Sequence, residues 1–123
     1  MGYRSEVALA VSSEIMPHFL NVLAEQPEAR SLIFKEHSHF DQNYAAEGTM
    51  LVVWHDIKWY TESDSVVGAI QRFVDDCESD LIEDFDDASE HIRFVRIGEE
   101  FDDIENKGSL HCYDICTSRS LMY

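Results

Sequence analysis

Positive charge is what this chain most lacks. Nine Lys and Arg stand against 25 Asp and Glu over 123 residues, a formal net charge of −16. Nucleic-acid phosphates and anionic membranes are held by clustered Lys and Arg, so neither is an expected partner. No apolar run approaches the roughly 18 residues that would span a bilayer, and Met1-Gly2-Tyr3-Arg4-Ser5-Glu6 lacks the apolar core of a secretory signal. A soluble, cytoplasmic protein is the expectation. Cysteine is sparse and odd in number, three in all, which fits reduced thiols better than a disulfide framework. Gly-x-x-x-x-Gly-Lys, Gly-x-Ser-x-Gly and His-Glu-x-x-His are all missing, so no catalytic nucleophile is nominated. A non-enzymatic protein without a cofactor is expected.

Apolar residues are not lacking. They make up 45% of the chain, with aromatics at 11%, enough for a packed core in spite of the charge. The length is that of one domain, residues 1–123. Residues 3–11 are β-compatible and run into Ser12-Ser13, good helix caps, so a strand and then a helix from about Glu14 are predicted. Ile15, Phe19, Val22 and Leu23 recur at helical spacing, and Pro27 ends or kinks that helix before a turn carrying Leu32 and Ile33. The strongest strand signal follows Gly48, with Met50, Val52 and Trp54 on one face and Leu51 and Val53 on the other. It continues less cleanly through Ile57 and Trp59 to Tyr60. Val66, Ile70, Phe73, Val74, Cys77 and Leu81 then trace an amphipathic helix. Ile92–Ile97 reads as a third strand, and an Asn106-Lys107-Gly108 turn leads to a fourth at about Leu110–Thr117. The order β-α-β-α-β-β predicts one compact α+β domain, a mostly antiparallel sheet with helices packed on one face.

Regional charge says more than the total. Residues 61–105 hold 16 acids and 3 bases, a net of −13. On the second helix Asp75, Asp76, Glu78, Asp80 and Glu83 spread over the side away from the apolar stripe, with Arg72 as their only helical counter-charge. Asp76/Asp80 and Asp80/Asp84 are like charges four apart, each costing about 0.2 to 0.5 kcal/mol, and acids late in a helix oppose its dipole. Local rules broken repeatedly in one direction tend to mark function. Duplex DNA carries one charge per about 1.7 Å, so 16 charges match about 27 Å of duplex. The expected contact set is Asp75, Asp76, Glu78, Asp80, Glu83, Asp84, Asp86, Asp87 and Glu90, extended by Glu99, Glu100, Asp102, Asp103 and Glu105. Its partner would be a basic surface of a nucleic-acid-binding protein. The plain alternative is a solvated face selected for solubility or for a high-salt cytoplasm.

Four other patterns bear on chemistry. His37, His39 and Asp41 alternate, so on an extended segment they would share a face and form part of a metal site; the ordinary alternative is a polar loop. Cys112 and Cys116 fit buried strand cysteines better than a redox pair, which uses Cys-x-x-Cys at a helix N-terminus. Residues 99–105 lack the ligand order of an EF-hand. Trp54, Trp59 and Tyr60 suit sheet-face packing, or the edge of a partner surface.

Two stretches, Gly2-Tyr3-Arg4-Ser5-Glu6-Val7-Ala8 and Arg93-Phe94-Val95-Arg96-Ile97-Gly98-Glu99-Glu100-Phe101-Asp102-Asp103-Ile104-Glu105, together with the Trp-rich strand, resemble small acidic proteins of tailed bacteriophages and prophages. The resemblance implies a host-interaction or anti-defence role in the bacterial cytoplasm and carries no catalytic residue with it. The reading is therefore a phage accessory protein that inhibits a host defence or repair enzyme, of the anti-CRISPR or anti-restriction kind, through an acidic surface. A metal module on His37, His39 and Asp41, and a homo-oligomeric structural phage protein, are the alternatives.

Overall fold

Alternation along the first strand sets the layout. Within β1 (Ser5–Val11), Val7, Leu9 and Val11 are buried on one face and Ala8 and Ala10 on the other. A strand apolar on both sides belongs inside a sheet. In the computed structural model β1 is the middle of five strands, ordered β2-β3-β1-β4-β5. Here β2 is His39–Ala45, β3 Thr49–Ile57, β4 Ile92–Ile97 and β5 Ile104–Lys107, and every pairing is antiparallel. The structure describes residues 5–35, 39–45, 49–57, 59, 65–79, 82, 87–99, 103–108 and 110, with backbone alone at 39, 41–45, 65 and 66.

Helices α1 (Met16–Glu25), α2 (Pro27–Phe34) and α3 (Ser65–Glu78) lie on one side of the sheet. Their Ile15-, Phe19-, Leu23-, Ile33-, Ile70- and Phe73-centred face packs on Leu9, Met50, Val52 and Phe94. Each such side chain, fully buried, contributes about 1.5 to 3 kcal/mol. Trp54 and Trp59 belong to the same core, their rings 5.5 Å apart, and Trp54 Nε1–H donates to the Leu32 carbonyl at 3.1 Å. That burial rules out a partner edge for these two residues; Tyr60 lies outside the described residues. The opposite face carries Ala8, Ala10, Leu51, Val53, Val95 and Ile97, all buried, with Leu110 packed against them.

The predicted α+β class, the antiparallel sheet and the one-sided helices hold, while five details differ. A strand, β2, occupies the segment read as a polar loop. Asp41, Gln42 and Asn43 are poor strand formers, and pairing with β3 overrides them. Asn106 and Lys107 lie within β5 rather than in a turn, paired with Val95 and Phe94. Gly108, just after β5, has a φ of +82°. Trp59 lies beyond the end of β3. Helix α3 stops at Glu78, short of Leu81. Finally, α1 starts from Ile15 with no side-chain cap, although Ser12 and Ser13 stand just before it. Leu110–Thr117, apart from Leu110 itself, lies outside the described residues.

Candidate functional site

The acidic segment divides into two populations. One is folded inward around two cations. Arg96 and Lys107 occupy the helix-facing side of β4 and β5, because Arg96 alternates with Ile92 and Phe94, and Lys107 is the cross-strand partner of Phe94. A charge there must be paired to be tolerated. Arg96 donates to both Asp103 oxygens at 2.8 and 3.2 Å, to Glu105 at 3.3 Å and to the Ser5 hydroxyl at 3.3 Å. The Asp103 hydrogen bonds, opposed by burial and aided by Glu105, hold the guanidinium above its ordinary pKa.

Lys107 reaches across to α3, where its ammonium donates to Asp75, with Glu105 3.6 Å away. The Asp75 hydrogen bond raises the ammonium pKa against the lowering effect of burial. Gln71, one turn before Asp75 and 8% exposed, completes the arrangement. Its oxygen accepts from Trp59 Nε1–H at 2.8 Å, and its amide donates to Asp75 at 3.1 Å and Glu105 at 3.0 Å. The carboxylates of Asp75 and Glu105 thus fasten α3 to the β4–β5 edge, while that of Asp103 fixes Arg96. Glu78 adds a further tie by accepting the Gly108 N–H.

The other population faces outward. Glu78, Asp87, Glu90 and Glu99 are exposed, and Asp76 is half-buried. The 3-10 helix Ala88–His91 packs against α3, so the acids of these two elements lie on neighbouring elements. Asp87 sits 3.4 Å from His91 Nε2. The remaining basic residues of residues 61–105 are Arg72, exposed on α3, and Arg93, half-buried on β4. Asp80, Glu83, Asp84, Asp86, Glu100 and Asp102 lie outside the described residues.

For the metal alternative, the structure supplies an extended backbone: His39 pairs with Val53 and Asp41 with Leu51. His37 and the side chains of His39 and Asp41 fall outside what is described. Among the described residues no group of three His, Cys, Asp or Glu is placed to hold a metal ion. Cys77 is buried in the core, as its place on the helix stripe predicts, while Cys112 and Cys116 are not described. Among the described residues no helix is long and apolar enough to cross a membrane.

Sequence reasoning placed the acids of α3 on its outer side and missed the inward network. A signal for it was present. Gln71 and Arg96 are polar residues at core-facing positions of otherwise apolar periods, which demands partners. No family model, curated protein or solved structure matches the chain.

Proposed function

We propose that this protein is a stoichiometric ligand of a basic protein surface that normally holds nucleic acid, and acts as a phage accessory inhibitor of a host defence or repair enzyme. One observation carries the reading. Residues 61–105 have a net charge of −13, and two of the cations nearest to them, Arg96 and Lys107, are turned inward onto Asp75, Asp103 and Glu105. The exposed acids Glu78, Asp87, Glu90 and Glu99 add their charge to the outward field. Such a field steers a cationic groove toward the protein and weakens steeply with salt. Like-charge repulsion within the segment is a stability cost that a complementary partner relieves.

The test separates local charge from total charge. Asp76→Lys with Glu90→Lys removes acids outside the network of ties to β4 and β5, and Glu25→Lys with Glu28→Lys makes the same change in net charge on α1 and α2. Each immobilised protein is exposed to bacterial lysate at low and high salt, and retained proteins are challenged with duplex DNA. Retention of a nucleic-acid-binding protein that salt and DNA both release, lost in the first variant and kept in the second, supports the reading. Equal retention by all three proteins refutes it.

A further inference from the structure

Ser12 stands at the corner where β1 turns toward α1, three residues before Ile15, the N-cap of that helix. Here α1 has no side-chain cap, and the Ser12 hydroxyl is directed elsewhere, to His91 Nδ1 at 3.0 Å. The two residues are 79 positions apart and are locked together a second time by the Ser12 N–H donating to the His91 carbonyl at 2.9 Å. On the far side of the ring, His91 Nε2 faces Asp87 Oδ2 at 3.4 Å and Glu14 Oε2 at 3.7 Å. With the proton on Nε2, the nitrogen that faces both carboxylates, Nδ1 is the acceptor for the Ser12 O–H.

Hydroxyl, imidazole and carboxylate in that order are the parts of an activated serine, recognised by geometry and roles rather than by position in the chain. From this geometry we propose that Ser12 is a nucleophile, with His91 as its general base, that takes the acyl group of small uncharged carboxylic esters. Asp87 and Glu14 are positioning residues that fix the ring and its tautomer. The backbone amides of Ser13 and Glu14, in the turn directly after the nucleophile, donate to no backbone carbonyl among the described residues and supply donors for an oxyanion. The cluster lies at the rim of the fold: Ser12 itself is 8% exposed, but Ser13, Glu14, Asp87 and Glu90 around it are exposed. Those acids disfavour an anionic substrate, which is why the ester is uncharged.

The step balances without a further reactant. As the Ser12 Oγ–carbon bond forms, the hydroxyl proton passes to His91 Nδ1. As the ester C–O bond breaks, that proton passes to the departing alkoxide. Water then attacks the acyl-serine, gives its proton to His91, and Ser12 regains it as the carboxylic acid leaves. This property rests on no part of the acidic-surface reading.

The probe is an alkyl fluorophosphonate, which forms a P–O bond to an activated serine with loss of fluoride. It is read by intact mass and peptide mapping on the folded protein, on the same protein denatured, and on Ser12→Ala and His91→Phe, each checked for folding by circular dichroism. One phosphonyl group on Ser12 is expected, absent from the denatured chain and formed at least about 100-fold more slowly in His91→Phe, the low end for loss of a general base. Should His91→Phe fail to fold, Ser12→Cys takes its place. The thiol of that variant is expected to alkylate faster folded than unfolded. No adduct on Ser12, an adduct that His91→Phe forms equally fast, or a Ser12→Cys thiol that alkylates no faster folded than unfolded overturns the proposal.

Discussion

Replacing Gly108 by Ala tests the junction that closes the fold. Gly108 has φ +82°, and a Cβ built on it would stand 2.1 Å from the Ile92 carbonyl oxygen and 2.7 Å from its carbon. Ordinary carbon–oxygen approach is about 3.3 Å, so the two backbones must part by about 1 Å. The left-handed conformation itself costs a non-glycine residue about 1 to 2 kcal/mol. Parting also weakens the Leu110 N–H bond to the Ile92 carbonyl, 3.0 Å long, and the Gly108 N–H bond to Glu78. At about 1 kcal/mol for each lost bond, the total is about 3 to 4 kcal/mol. For a domain of this size about 4 °C is lost per kcal/mol, so the melting temperature should fall by about 12 to 16 °C. Thermal unfolding by circular dichroism measures this, with Glu78→Ala as the partial control, expected to lose about 4 °C. A Gly108→Ala protein melting within about 4 °C of the parent would refute both the left-handed conformation and the close approach to Ile92.

Three further outcomes are expected. Trp59→Phe keeps the ring packing but leaves the buried Gln71 oxygen without its donor, costing about 1 to 3 kcal/mol in urea denaturation. Adding Gln71→Met to Trp59→Phe should cost less than the two single changes summed, and strict additivity would count against the network. Lys107 binds its proton more tightly folded than unfolded, so its stabilisation is complete below the ordinary lysine pKa of about 10.4 and disappears as pH rises through the higher folded value. Melting temperature followed into the alkaline range should therefore fall more steeply for the parent than for Lys107→Met, and parallel curves would sink the linkage. Leu51→Ala, on the sheet face away from the helices, should cost about 2 to 5 kcal/mol by chemical denaturation, as a fully buried leucine does. A loss under about 1 kcal/mol would mean that this face is not packed.

What was legible in the sequence followed from strong periodicity. Met50, Val52 and Trp54 against Leu51 and Val53 separate onto the two faces of β3 as alternation requires, and Phe73, Val74 and Cys77 face the core from α3. The elements that escaped notice are the edge strands. Both β2, with its Asp-Gln-Asn centre, and β5, Ile-Glu-Asn-Lys, are polar, which suits a sheet margin that must not recruit another chain. Such strands are held by their neighbours rather than by their own composition. The same limit applied to function. Acidic residues announce themselves in any count, but whether Asp75 serves a partner or Lys107 depends on β5 lying beside α3. His91 carried no signal in the sequence because Ser12 and Glu14 meet it only after β1 and β4 have paired.

The position of β1 has a consequence for how the molecule is made. The earliest of the described strands is the middle strand of the sheet, and its two neighbours begin at Thr49 and Ile92. During synthesis its second hydrogen-bonding edge therefore stays unsatisfied until β4, which starts at Ile92, has emerged. These are long loops to close before pairing repays them, and they favour slow, late and concerted folding over stepwise growth from the N-terminus. Until β4 arrives, a two-sided apolar strand stands open along one edge, a template for pairing with other nascent chains. The dense negative charge of residues 61–105, translated just before and around β4, would hold such chains apart by repulsion until the sheet closes.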